Sequence, residues 1–225
     1  MILSIETATQ VCSVALHENG QLLGVQTLHF EKSHSSMLAT MIKNVLSDCG
    51  ITFKNLAAVA ISEGPGSYTG LRIGTSSAKG LCFSLDIPLI AVSTLEAMAF
   101  GLTRYNIHKA LLCPMLDARR MEVYSQVFDH NLNVVQSIEP KIIDEYAYSD
   151  LLEENQLLFF GNGAAKCASI ITHSNAHFIE GVHPDATNVG ALASVKYDNQ
   201  QFEDVAYFEP FYLKEVNITK PKVRT

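Results

Sequence analysis

Between residues 56 and 85 the chain passes from an apolar run to a helical pattern through one glycine-proline-glycine turn, and few folds accommodate that join. Leu56-Ala57-Ala58-Val59-Ala60-Ile61 is almost continuously apolar, the pattern of a strand covered on both faces. Residues 67–85 read as a helix. Gly64-Pro65-Gly66 between them forces a tight strand-to-helix turn, because glycine tolerates positive φ and proline pre-sets one backbone angle. Ser67 stands where a helix cap belongs.

Such a turn has two uses. Open N–H groups at a helix start attract anions, or the glycines simply let two backbones pack closely. The spacing Gly64-x-Gly66-x-x-x-Gly70 is not the dinucleotide fingerprint, and no Lys-Ser/Thr pair follows as a P-loop requires. The close-packed turn is the favoured alternative. Inside the helix Gly70, Gly74 and Ala78 recur every fourth residue, with Ser77 and Leu81 beside them. A ridge of small residues lets another helix approach, and glycine in a helix costs about 1 kcal/mol relative to alanine. Two of them on one face call for a packing reason, inside the domain or against a partner.

The 225 residues leave room for one large or two small domains. At 48% hydrophobic and 17% charged residues the composition is that of a soluble globular chain, and no apolar run approaches the roughly 18 residues a membrane span needs. The start, Met1-Ile2-Leu3-Ser4-Ile5, reads as a strand rather than an export signal, which predicts a cytoplasmic protein. Five cysteines scattered singly among apolar neighbours fit buried reduced thiols. The net charge of −7 argues against RNA binding by this chain alone. The acidity lies mainly after residue 106, where ten basic residues face sixteen acidic ones. Residues 214–225 depart from it: Lys214, Lys220, Lys222 and Arg224 against Glu215 predict a basic, solvated tail.

One order of elements occurs twice. Ile2–Glu6 reads as a strand, and 11–17 and 21–28 as a hairpin closed by Glu18-Asn19-Gly20. A helix from Ser33 to Gly50 follows, then the strand and helix of the glycine turn, a strand over 88–92 and a helix over 94–102. From residue 110 the order restarts: strand 110–116, the turn Asp117-Ala118-Arg119-Arg120, and the hairpin 122–128 and 132–137. Helix 147–154, strand 157–160, helix 164–172, strand 177–179 and helix 185–197 complete it. A shift of 111 residues places Glu6 on Asp117 and Glu18 on Asp129. The prediction is a duplicated α/β protein with domains 1–105 and 106–213, the architecture of the actin-like ATPase and sugar-kinase superfamily. In that architecture an acidic turn from each half borders a cleft.

Ile2-Leu3-Ser4-Ile5-Glu6-Thr7-Ala8-Thr9, Gly64 to Gly74, Val92-Ser93-Thr94-Leu95-Glu96, Asp117 to Tyr124 and the late Tyr212-Leu213-Lys214 resemble the bacterial TsaB (YeaZ) proteins of tRNA threonylcarbamoyladenosine biosynthesis. Glu6 stands where many members have Asp, and Met121 where many have Gly. The resemblance implies a non-catalytic paralogue of TsaD, the subunit that transfers the threonylcarbamoyl group to the adenosine beside the anticodon. TsaD carries a metal-binding His-x-x-x-His, whose positions fall here on Thr94 and Met98. A hydroxyl and a thioether are poor substitutes for two imidazoles, so neither a metal nor a cofactor is expected. His34, and the pair His173 and His177, are weak candidates for a site.

The acidic turns Glu6-Thr7-Ala8-Thr9 and Asp117-Ala118-Arg119 lack the glycine of superfamily phosphate turns, so weak or no ATP hydrolysis is expected. Glu6, Glu63, Ser67, Asp117 and Arg119 form the expected vestigial cleft, with Arg119 neutralising Asp117. The resemblance further implies that the helices over 33–49 and 67–85 pair with their counterparts in TsaD, that TsaE docks on the pair, and that the same surface makes a homodimer when TsaD is absent. tRNA would be reached only through the complex. The expected interface is Met37, Leu38, Met41, Ile42, Val45, Gly70, Leu71, Gly74, Ser77, Ala78 and Leu81, so a bulky residue at Gly74 should block TsaD while leaving the fold intact. The alternative is an ATPase or phosphotransferase of the actin-like superfamily. A peptidase finds no Ser/His/Asp or HExxH pattern to rest on.

Overall fold

The computed structural model describes residues 1–29 and 34–214, the side chain of His34 excepted. Ser33 as helix opener and the tail beyond Lys214 lie outside the described residues.

Strands β1 (Ile2–Glu6), β2 (Val11–Glu18) and β3 (Gln21–His29) are followed by α1 (His34–Asp48), a 3₁₀ turn (Phe53–Asn55), β4 (Ala58–Gly64), α2 (Tyr68–Leu85), β5 (Leu89–Ser93) and α3 (Thr94–Thr103). The second series comprises β6 (Leu111–Asp117), β7 (Glu122–Phe128), β8 (Val134–Ile142), α4 (Ser149–Glu154), β9 (Leu157–Phe160), β10 (Ala176–Ile179) and α5 (Ala186–Asp198). The first sheet has the order β3-β2-β1-β4-β5 and the second β10-β9-β6-β7-β8, so the two are the same sheet built twice. In each, the first strand runs antiparallel to the hairpin and parallel to the strand that follows. Glu6 and Asp117 end the corresponding strands β1 and β6, as the 111-residue shift predicts. Among the described residues no helix is long and apolar enough to cross a membrane.

The first sheet is covered on both faces, which is why β1 and β4 read as near-continuous apolar runs. On one face Leu3, Ile5, Val14 and Ile61 meet Leu38, Met41, Ile42 and Val45 of α1 and Ala78 and Cys82 of α2. On the other, Ile2, Ala58, Ala60, Ile90 and Val92 meet Ala97 of α3 and Val189 and Ala193 of α5. The opposite side of α3, with Leu95, Met98 and Ala99, packs on Leu112, Leu116, Phe128 and Phe160 of the second sheet. Beyond that sheet, Cys113, Met115 and Phe159 pack under Leu152 of α4 and Cys167.

The packing units therefore differ from the expected domains 1–105 and 106–213. Helix α5 belongs by sequence to the second half but lies on the first sheet. The chain after it stays there: Glu203 bridges to Leu89, Phe208 enters the first core, and Phe211 N donates to Glu63 O at 2.8 Å.

Three local expectations are corrected. Residues 162–170 form successive turns rather than a helix over 164–172. Their amides bond three residues back, as in Ala164 N to Gly161 O at 3.1 Å and Cys167 N to Ala164 O at 2.9 Å. Gly163 is pressed on β6, where a Cβ would lie 2.9 Å from Leu116 C, which fixes the path of this segment. The helix expected from 147 starts at Ser149 because Tyr148 sits at φ 64°. The last strand of the second hairpin begins two residues late, at Val134, and runs on to Ile142.

Candidate functional site

A cleft of about 1380 Å³ opens where the two halves meet. One wall is the turn after β1 and the glycine turn before α2, from Ala8, Thr9, Gly66, Ser67 and Tyr68. The facing wall is Asp117, Arg119, Arg120, Glu122 and Tyr124, and residues 211–214 cross between them.

The glycine turn is a packed turn. Ser67 N donates to Ala8 O at 2.6 Å, and a Cβ on Gly66 would lie 2.5 Å from the same carbonyl oxygen. Gly64, at φ 119°, leaves room for Phe211 O, which a Cβ would meet at 2.6 Å. Ser67 caps α2 as expected, accepting from Gly70 N at 3.3 Å. These amides are spent within the chain, so the glycines serve backbone contact.

Of the five expected cleft residues, Ser67, Asp117 and Arg119 line it; Glu6 and Glu63 do not. Glu6 is wholly buried, one carboxylate oxygen accepting from Ala8 N at 2.5 Å while Oε2 has no hydrogen-bond partner among the described residues. Burial pushes its carboxyl up to about 7, against hydrogen bonds from Ala8 and Ser62 and with Asp185 adding a further upward push. Around it lie other buried polar groups on the α5 side of the sheet. Ser62 and Thr94 share a 2.6 Å hydrogen bond, Ser13 accepts from Ala186 N at 3.3 Å, and His17 is held below its usual pKa by burial. Glu63, next along β4, faces Lys196, Glu203 and Glu96 instead, and burial raises its carboxyl too. Both acids thus face groups other than Asp117, which ends β6 of the second sheet at the cleft wall.

Asp117 is not neutralised by the Arg119 side chain. Lys166 does that, donating to Asp117 Oδ1 at 2.5 Å and to the carbonyls of Arg120 and Glu122 at 2.7 Å each. Arg119 contributes its backbone N–H, 2.9 Å from the same carboxylate oxygen. Lys166 escaped the sequence reading because 49 residues separate it from Asp117 and no local pattern marks it. Among the described residues no three His, Cys, Asp or Glu side chains gather as a metal site would require.

The helix surface needs a larger correction. Leu38, Met41, Ile42 and Val45 of α1 and Gly70, Leu71, Gly74 and Ala78 of α2 are buried under their own domain and cannot form an intermolecular face. A Cβ on Gly74 would land on Thr7 Oγ1 and lie 2.9 Å from Ile61 Cδ1. The small-residue ridge exists so that α2 can press on the sheet. Met37 is exposed, and Ser77 and Leu81 are half-buried at the border. The outward face of α2 is a different stripe: Arg72, Ser76, Gly80 and Phe83, the last 87% exposed. A Cβ on Gly80 would meet nothing within 4 Å among the described residues. Arg72 lies 4.2 Å from the centre of the Tyr68 ring and hydrogen-bonds Tyr212.

The family model for TsaD, tRNA N6-adenosine threonylcarbamoyltransferase, matches residues 13–220. A tRNA threonylcarbamoyladenosine biosynthesis protein TsaB from Haemophilus influenzae is 30% identical over 95% of this chain and 93% of its own length. The TsaB of Bacillus subtilis is 33% identical over 62% of this chain, and that of Escherichia coli 36% identical over 64%. Those two matches span 59% and 64% of the relatives' lengths, under two thirds. Among solved structures, a Pseudomonas aeruginosa protein described as similar to peptidase YeaZ superposes with TM-score 0.84 at 24% identity, covering 95% of this chain and 99% of that one. An activator of 2-hydroxyisocaproyl-CoA dehydratase from Clostridium difficile gives TM-score 0.52 at 8% identity over 90% of this chain and 98% of that one, a likeness of fold. The chain belongs to the TsaD family that this model describes and, within it, to the TsaB (YeaZ) tRNA threonylcarbamoyladenosine biosynthesis proteins.

Proposed function

We propose that this chain is a non-catalytic subunit in tRNA threonylcarbamoyladenosine formation, which docks TsaD through the outward faces of α1 and α2 and through it recruits TsaE. The observation that carries this is Gly80. A glycine inside an exposed helix costs about 1 kcal/mol relative to alanine, and nothing among the described residues packs where its Cβ would be. Close approach by another helix supplies a reason. Phe83, one turn on, offers apolar surface beside it, and Met37 is exposed on α1. Without TsaD the same face pairs with a second copy. tRNA is reached through the complex, in the cytoplasm.

A supporting role also agrees with how the acids of the cleft region are used. Asp117 is engaged by Lys166 and Glu6 is folded into the interior, so both serve this chain's own structure. Size-exclusion chromatography of the chain with TsaD of the same organism, with and without TsaE and nucleotide, is the test. A TsaB–TsaD species that then recruits TsaE is expected. Separate elution in every condition, or turnover of Mg-ATP by the chain alone, would overturn the proposal.

A further inference from the structure

The segment from Glu203 to Lys214 runs along the first half and then leaves it. Lys79 of α2 holds its beginning, donating to Ala206 O and Phe208 O at 3.0 Å each. Phe208 is buried in the first core, Phe211 N bonds Glu63 O at 2.8 Å, and the Tyr212 ring lies 5.0 Å from that of Tyr68. All of these anchors belong to the first half. Two residues later Lys214 reaches the second half, where its Nζ lies 2.5 Å from both carboxylate oxygens of Glu122 at the start of β7. The segment thus crosses the cleft with one end fixed by main chain and core and the other, among the described residues, by the Lys214–Glu122 ion pair.

We propose that residues 211–214 are a latch that sets the opening of the cleft, with Lys214–Glu122 as its releasable end. The asymmetry is the reason. The near end combines a backbone hydrogen bond, a buried phenylalanine and the Arg72–Tyr68–Tyr212 stack. The far end is a partly exposed ion pair, and such pairs shift an equilibrium only about two- to five-fold and weaken with salt. Breaking it leaves both sheets and their cores intact while freeing the end of the segment from the second wall. Tyr124, two residues after Glu122 on β7, also feels the Lys214 charge. Since Tyr212 is held by Tyr68 and Arg72, the latch also links the outer surface of α2 to the spacing of the two halves.

Spin labels at Ser35 and Arg120, on opposite walls, report that spacing in the full-length chain once the half-buried Cys49 is replaced by serine. The expected result is one dominant distance in the parent, with a longer population raised about two- to five-fold by Lys214→Glu or by 0.5 M salt. Combining Lys214→Glu with Glu122→Lys should restore the parent distribution at an unchanged melting temperature. A distribution indifferent to Lys214→Glu, or a charge-swapped pair that fails to restore it, would overturn the latch. Neither measurement involves TsaD, so the latch can fail while the proposed function stands, and the reverse.

Discussion

Gly74 and Thr7 occupy each other's space: the Thr7 hydroxyl donates to Gly70 O at 2.8 Å and sits where a Cβ on Gly74 would be. The two α2 glycines should therefore respond in opposite directions. Gly74→Ala gains helix propensity but overpacks the helix–sheet contact, for a net loss of about 1–2 kcal/mol. Gly80→Ala meets open space and should gain about 0.5–1 kcal/mol. Urea midpoints of the two variants decide it, and equal shifts would mean the orientation of α2 is wrong.

The outward stripe gives the companion prediction for binding. Phe83→Glu and Gly80→Leu change side chains that touch little of their own domain, so the melting temperature should stay within about 1–2 °C of the parent. Affinity for TsaD should fall at least about 30-fold, the size of a hot-spot loss. Titration calorimetry with purified TsaD measures it. Retained affinity in both variants would remove the outer face of α2 from the interface.

The turn at Gly64-Pro65-Gly66, the Ser67 cap and the repeated strand order were legible because each is encoded within a few residues. The face of α2 was not. A four-residue repeat places Gly70, Gly74 and Ala78 on one side of a helix, but the same repeat serves a sheet or a partner. Thr7, which decides between them, is remote in sequence. Helix α5 was legible as a helix and misplaced as a member of the second half, since its packing depends on where the chain returns. Lys166 and Asp117 meet through the second sheet, and Lys214 and Glu122 across the cleft, and neither pairing leaves a local trace. Glu6 and Asp117 do correspond in the repeat, yet one is sealed inside and the other is paired at the cleft wall.

Glu6 makes stability depend on pH in an unusual direction for a carboxylate. Its pKa is pushed up to about 7 in the folded chain from 4.5. The stabilisation is then fully present below 4.5 and is lost as pH rises through 7, by on the order of 3 kcal/mol. His17 opposes it below its own range, because burial keeps it neutral where the unfolded chain binds a proton. Comparison with Glu6→Gln isolates the carboxyl. The stability of the Gln variant minus that of the parent should climb between pH 4 and pH 8. Urea unfolding across that range measures the climb, and a flat difference would show that Glu6 is ionised in the fold.

Lys166 ties together the turn between β6 and β7, and all three of its protons have a partner: Asp117 Oδ1, Arg120 O and Glu122 O. Lys166→Met keeps much of the stem but leaves a carboxylate and two carbonyls to find water. The site is partly exposed, so the loss should be about 1–2 kcal/mol rather than that of a buried ion pair. Arginine should not rescue it, since a planar fork cannot converge on three acceptors gathered around one nitrogen. Hydrogen exchange localises the effect: faster exchange of the Ala118 and Glu122 amides, which close this turn by bonding Glu122 O and Arg119 O, with the first sheet unchanged. If those amides stay protected in Lys166→Met, the turn is held by its own backbone and the lysine is incidental to it.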